Sequence, residues 1–204
     1  GSVLAGRYDV VFATSPPLFV GAAGLAAATV RNVPFVFEVR DLWPESAVAL
    51  GELSNPRAIR GAERLEATLY RRADCIVAVT QGIRNRLIGR GIPDGKVAMI
   101  ANGANAEHFR FDPNLREKTR RRLGLQDRFV AMYAGIHGIA QGLETVLDAA
   151  ALLSGDPRFA FVFVGEGPRK AALQSRAAEM GVRNVRFLPE VPSAEMPGYL
   201  SAAD

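Results

Sequence analysis

The stretch Lys96-Val97-Ala98-Met99-Ile100-Ala101-Asn102-Gly103-Ala104-Asn105 decides the fold of this 204-residue chain. Residues 96–100 read as a short buried strand, and Asn102-Gly103 is a strong turn signal. Strand-like and helix-like runs alternate before it. A loop, a basic helix and a second run of the same alternation follow. The stretch reads as the crossing point between two α/β halves, expected at 1–103 and 104–204. Open parallel sheets take their ligands beyond the carboxyl ends of the strands. Two halves meeting at a hinge would set those ends across a cleft.

Upstream, strands are expected over 8–14, 34–39 and 74–79, with helices over 19–31, 56–72 and 81–90. The helix at 19–31 is rich in Gly and Ala and suits close packing on a sheet. In 56–72, Ile59, Ala62, Leu65 and Leu69 recur at helical spacing, with arginines on the other face. Downstream, helices are expected over 114–123, 142–153, 168–181 and 193–203. The third has Pro168 in its first turn, and the fourth has Ser193 as its cap. Strands are expected over 128–134, 159–164 and 184–188. Strands separated by helices of this length argue for parallel, doubly wound sheets.

Composition narrows the class. The chain is 49% hydrophobic and 23% charged, as in a soluble globular protein. No apolar run reaches the ~20 residues that span a bilayer. No signal peptide is visible at the start, and Gly1-Ser2 read as a cloning scar. The single cysteine, Cys75, excludes a disulfide framework, fits a reduced cytoplasmic setting and reads as a small buried hydrophobe. The formal charge of +4 permits anionic partners and selects none.

Chemistry is concentrated at strand ends. The strand over 128–134 runs into Gly135-Ile136-His137-Gly138, and that over 159–164 into Gly165-Glu166-Gly167-Pro168. Each leads towards a helix. Such turns expose backbone N–H groups, and helix N-termini add partial positive charge, so phosphate binds there readily. Ordinary turn chemistry is the plainer reading. A dinucleotide fingerprint fails, because glycine is required where Lys170 stands. No P-loop and no Gly-x-Ser-x-Gly elbow is present. Two histidines and one cysteine argue against a protein-built zinc site. In the first half, Arg40 and Asp41 stand at a strand's carboxyl end. There an Arg can grip phosphate, and an Asp can accept a proton or hold a sugar hydroxyl. The plainer alternative is an Asp that caps the next turn and an Arg paired with Glu38 or Glu45.

Taken together, these residues resemble a known family. Asp74-Cys75-Ile76-Val77-Ala78-Val79-Thr80, the stretch Lys96 to Gly103 and His108-Phe109 look like the centre of glycosyltransferase family four. Its GT-B fold has two Rossmann-like domains with a cleft between them. Tyr133-Ala134-Gly135, Gln141-Gly142-Leu143, Val164-Gly165-Glu166-Gly167-Pro168 and Val185-Arg186-Phe187 match its donor-domain pattern. Thr14-Ser15-Pro16-Pro17 and Arg40-Asp41-Leu42-Trp43-Pro44-Glu45 are similar to a subgroup that builds bacterial surface polysaccharides, the fucosamine transferases among them.

The resemblance implies a retaining, metal-independent transferase of hexosyl or acetamidohexosyl type. It takes a nucleotide-sugar donor and needs no cofactor. Residues 1–103 would form a partial acceptor-side domain and 104–204 a partial donor-binding one. By position, Gly135, His137, Gly138, Gln141, Gly165, Glu166 and Gly167 would lie near the donor diphosphate and sugar, and Leu188 and Pro189 near the base. Ser15, Pro16 and Pro17 would face the acceptor, with Arg40 and Asp41 as catalytic candidates. Arg40 falls where many members have a histidine, and Gln141 where many have a lysine against the diphosphate. Phosphate charge would then be met by backbone N–H groups, an arginine or His137, the favoured side chain. The family's opening strand would precede residue 8, and its Glu–seven residues–Glu motif would follow Asp204, so no turnover is expected from this portion alone. The acceptor would be lipid-linked or an oligosaccharide, on the inner face of a bacterial membrane. Peripheral contact is expected there through the arginines of 56–72, and no nucleic acid is expected as a partner. Two other readings remain open: a nucleotide-sugar epimerase of the same fold, and a non-catalytic nucleotide-binding module.

Overall fold

The computed structural model describes residues 6–204, so Gly1-Ser2 lie outside the described residues. The chain divides into two compact units, one up to Gly103 and one from Ala104. The first runs β1 (Val11–Ser15), α1 (Leu18–Arg31), β2 (Phe35–Val39), α2 (Glu45–Ala49), α3 (Pro56–Arg72), β3 (Cys75–Ala78), α4 (Gln81–Gly89) and β4 (Val97–Met99). Its four strands lie in the order β1-β2-β3-β4, all parallel. Side chains alternate across a strand. Ala13, Phe35, Phe37, Val39, Ile76, Ala78 and Val97 therefore form one face, buried with Leu18, Leu69 and Leu87 from the helices. The alternate set is less covered: Phe12 is exposed, and Val36, Glu38 and Cys75 are half-buried. Cys75 is thus not the buried hydrophobe its strand suggested, because it points to the less covered face.

The second unit runs α5 (Pro113–Leu123), β5 (Phe129–Ala134), α6 (Glu144–Leu152), β6 (Phe159–Val164), α7 (Lys170–Glu179), β7 (Val185–Leu188) and α8 (Met196–Ala202). Its sheet, β5-β6-β7, is parallel and covered on both faces. Phe161 and Phe163 meet Leu147 and Leu173 on one side. Val130, Val162 and Val164 meet Leu125 and Tyr199 on the other. The α/β class and the parallel sheets are those expected. Near-continuous apolar strands such as Phe-Ala-Phe-Val-Phe-Val (β6) are what two-sided burial demands.

Several elements are set by local chemistry. Asn55 accepts hydrogen bonds from the N–H groups of Arg57 and Ala58 at the start of α3, where Pro56 supplies a preset φ. Asp112 does the same for α5 with Asn114 and Leu115. Thr80 caps α4 through Ile83 N–H at 3.1 Å. Two expectations are corrected. Ser193 caps nothing: α8 starts at Met196, follows Glu195 and has no side-chain cap. Pro168 lies ahead of α7, which begins at Lys170. The five-residue α2 carries too short a pattern to read from sequence.

Glycine makes the packing of α1 possible. A Cβ on Gly21 would lie 2.6 Å from Phe37 Cε2 and 2.9 Å from Leu69 Cδ1. On Gly61 of α3 it would meet nothing within 4 Å. Both are helical, so Ala gains up to about 1 kcal/mol of helix propensity at each. Overpacking costs about 1–3 kcal/mol at the first only. Denaturant unfolding should therefore show Gly61→Ala stabilised and Gly21→Ala destabilised. Equal shifts of one sign would contradict this packing.

Candidate functional site

In the second unit the ends of β5 and β6 interlock. Gly135 N–H donates to Val164 O at 2.9 Å, His137 N–H to Glu166 O at 2.8 Å, and Arg169 N–H to His137 O at 2.9 Å. Gly135, Gly165 and Gly167 take φ of 156°, 137° and 154°. A Cβ on Gly165 would sit 2.1 Å from Gly135 O, and one on Gly167 2.5 Å from His137 O. Only glycine permits this approach.

A cavity of about 570 Å³ opens over these turns. Gly135, Gly165 and Gly167 line it with Ile136 and Val164, opposite Val191, Ser193 and Met196. Two carboxylates, Glu166 and Glu190, also border it. Among the described residues, the N–H groups of Ile136, Gly138, Glu166 and Gly167 have no hydrogen-bond acceptor. Ile136, Glu166 and Gly167 line the cavity, so its edge holds unused donors ahead of α7, a combination suited to an anion.

Among the described residues, no cation lines this cavity. Lys170 is partly buried beneath it and fully engaged: its Nζ donates to Gly165 O and Leu188 O, both at 2.9 Å, and to Glu166 Oε1 at 2.6 Å. It ties the ends of β6 and β7 together. The Lys170 hydrogen bond is also the main cause holding the Glu166 carboxyl below its ordinary pKa. Glu166 and Glu190 suit sugar or ribose hydroxyls better than phosphate.

The expectation that His137 meets phosphate with its side chain is corrected. The ring is fully buried among Tyr133, Phe163 and Phe187, with centroids 5.9, 6.1 and 6.4 Å away. Among the described residues, neither ring nitrogen has a partner. Burial first, and the Lys170 charge second, lower its pKa from 6.5. Residue 137 serves the turn through its backbone. Of the other expected donor residues, Gly138 opens the 3₁₀ turn Ile139–Gln141, and the exposed Gln141 folds its amide oxygen towards it. Leu188 is half-buried, and Pro189 is exposed directly before Glu190.

In the first unit, Ser15-Pro16-Pro17 and Arg40-Asp41 come together at the adjacent ends of β1 and β2. Ser15 pairs in register with Val39, and Arg40 N–H donates to Ser15 O at 3.0 Å. Ser15 is buried, Pro16 half-buried and Pro17 exposed. The Arg40 guanidinium is exposed and makes no ion pair among the described residues. Its candidate partner Glu45 is taken by Arg86 and Arg90. Asp41 is half-buried and accepts from Ser46 Oγ at 2.7 Å. Sequence reasoning missed Glu190, Lys170 and the Glu45 contacts. Glu190 adjoins the Pro189 it had singled out, whereas the others depend on long-range packing.

Known proteins were compared with the chain. Residues 2–103 match the family described as "Glycosyl transferase 4-like domain", and residues 116–204 match "Glycosyl transferases group 1". The chain is 26% identical over 96% of its length to WcaI of Escherichia coli (strain K12), a provisionally named colanic acid biosynthesis glycosyl transferase, and covers 49% of it. It is 29% identical to the GDP-mannose-dependent α-(1-6)-phosphatidylinositol monomannoside mannosyltransferase of Mycolicibacterium smegmatis, with 65% of this chain and 35% of that protein covered. Among solved structures, Anabaena Alr3699/HepE in complex with UDP and glucose superposes with a TM-score of 0.78 at 20% identity. That match covers 97% of this chain and 51% of HepE. The chain thus spans about half the length of the first curated relative it matches.

The buried imidazole has a measurable consequence. A folded pKa below the unfolded one means that the unfolded chain binds the proton more readily. His137 therefore makes stability rise with pH across this window and fall as pH drops below about 6.5. His137→Phe fills the same space without orphaned nitrogens. It should be at least as stable at neutral pH and should lose the decline that sets in below about pH 6.5. An unchanged decline would place the titrating group elsewhere.

Proposed function

Because the chain belongs to the glycosyl transferase 4-like family over residues 2–103, with a group 1 glycosyl transferase domain over 116–204, we propose that the whole protein moves a sugar from a nucleoside-diphosphate donor to a saccharide acceptor in surface-polysaccharide synthesis. The transfer retains anomeric configuration and needs no metal. The carrying observation is the glycine-lined cavity with the unused amides of Ile136, Glu166 and Gly167. As the anomeric bond lengthens, negative charge grows on the leaving diphosphate. Fixed N–H dipoles stabilise it without reorganising. Glu166 and Glu190 accept hydrogen bonds from donor hydroxyls. HepE, which shares the fold, is known in complex with UDP and glucose, and this supports a nucleotide-sugar donor.

In the first unit, Arg40 makes no ion pair among the described residues and suits an anionic acceptor such as a lipid-linked diphosphate. Asp41 beside it accepts a proton or orients the acceptor hydroxyl. The test is product analysis on the full-length protein, with UDP- and GDP-sugars, a lipid-linked saccharide and a chelator. Acceptor-linked sugar of retained configuration is expected. A free epimer formed without acceptor would replace this reading by an epimerase, and strict dependence on added metal would remove the metal-free mechanism.

The acceptor reading brings the protein to the cytoplasmic membrane face. No helix among the described residues is long and apolar enough to cross a membrane. Arg57, Arg60, Arg64 and Arg71 are exposed and share one side of α3 by their spacing. Each adds about 1 kcal/mol at an anionic surface. Screening acts within ~8 Å at physiological salt. Co-sedimentation should favour anionic over neutral vesicles and weaken with salt, and equal partitioning would make the stripe a solvated helix face.

A further inference from the structure

The loop after β2 is held by a charged network that the proposed chemistry does not use. Arg90, at the end of α4, pairs with two carboxylates: Glu45, the first residue of α2, and Glu66 of α3 at 3.2 Å. Arg86 adds a second contact to Glu45 at 2.9 Å. Glu66 is buried and also accepts from Tyr70 Oη at 2.7 Å. Tyr70 in turn packs on Phe37 of β2, with ring centroids 6.0 Å apart. Next to Glu45, Ser46 Oγ donates to Asp41 at 2.7 Å. One continuous path therefore runs from the buried Glu66 through Arg90, Glu45 and Ser46 to Asp41.

Stability alone is a poor reason for this path. Withdrawing a carboxylate and a guanidinium from water costs roughly what their attraction returns, and apolar side chains of similar volume often do as well. A bridged guanidinium does supply direction. Its planar fork holds two carboxylates in one preset geometry, whereas a lysine would meet them with freely rotating donors. The short α2 has no side-chain cap of its own to fix its start. Its first residue is fixed instead by α4.

We infer that Arg90 is a positioning residue: through Glu45 it sets the start of α2, and through Ser46 the direction of the Asp41 carboxylate at the end of β2. This rests on the reading of Asp41 as part of the transferase site. The same contacts occupy Glu45, one of the two carboxylates that could have paired with Arg40. Arg90 itself touches neither substrate.

The experiment uses the full-length enzyme and a double-mutant cycle. Arg90→Met on its own orphans the buried Glu66 and can unfold the protein, so it is paired with Glu66→Gln. Ser46→Ala cuts the last link with little other change. Each should lower kcat about tenfold or more, with the donor KM unchanged. On an Asp41→Asn background neither should lower it further in single-turnover measurements. Full and independent loss on that background would overturn the inference, as would unchanged kcat in the folded variants. Hydrogen exchange supplies a readout free of catalysis. Amides of residues 40–50 should exchange faster in Arg90→Met/Glu66→Gln, and unchanged protection there would also overturn it. If Asp41→Asn leaves turnover intact, the site reading fails and the catalytic purpose of the network with it. The exchange result then reports on the anchoring alone, so the two failures are distinguishable.

Discussion

A methyl group on residue 165 would lie 2.1 Å from the carbonyl oxygen of Gly135. This steric constraint organises the second unit. Without side chains at 135, 165 and 167, the turn after β5 lies directly on the turn after β6. The backbone bonds between Gly135, Val164, His137, Glu166 and Arg169 then form. The apolar strands below make the platform, and the glycines let two strand ends share one cavity. Amides that a larger residue would have covered are left without acceptors at its edge.

The two units handle charge differently. In the second, the nearest cation, Lys170, is consumed inside the protein by two carbonyls and Glu166. An anion arriving at the cavity meets backbone dipoles, not a side-chain cation. In the first, the candidate carboxylate Glu45 is consumed by Arg86 and Arg90, and Arg40 makes no ion pair among the described residues. Lys170 is thus unavailable to an anion in the second unit, and Glu45 is unavailable to Arg40 in the first. Fixed dipoles suit a leaving group whose charge grows during the reaction, and a free guanidinium suits an acceptor that is anionic from the start.

Much of the architecture was legible because its signals are local. α3 carries Asn-Pro at its start and a clear helical stripe. β6 is an unbroken apolar run, and both begin and end where expected. The glycine turns were legible at the strand ends, whereas the pairing of Ser15 with Val39 that brings Ser15-Pro16-Pro17 beside Arg40-Asp41 is a property of the folded sheet. What failed depended on contacts distant in sequence. His137 looked like a phosphate ligand by residue type, but Phe163 and Phe187 from two other strands enclose its ring. Lys170 read only as the residue that breaks a dinucleotide fingerprint, whereas it cross-links two strand ends. α2 is five residues long and is held by α4. No window of sequence around Glu45 contains that information.

The central claim is that backbone amides at the two glycine turns hold a diphosphate without metal. Calorimetric titration of the full-length protein, with a chelator present, tests it by comparing UDP and GDP with uridine and guanosine. The account predicts that at least one diphosphate binds without magnesium, and that its nucleoside binds about tenfold or more weaker. Equal affinity for nucleoside and nucleotide, or binding that appears only when magnesium is restored, would contradict it.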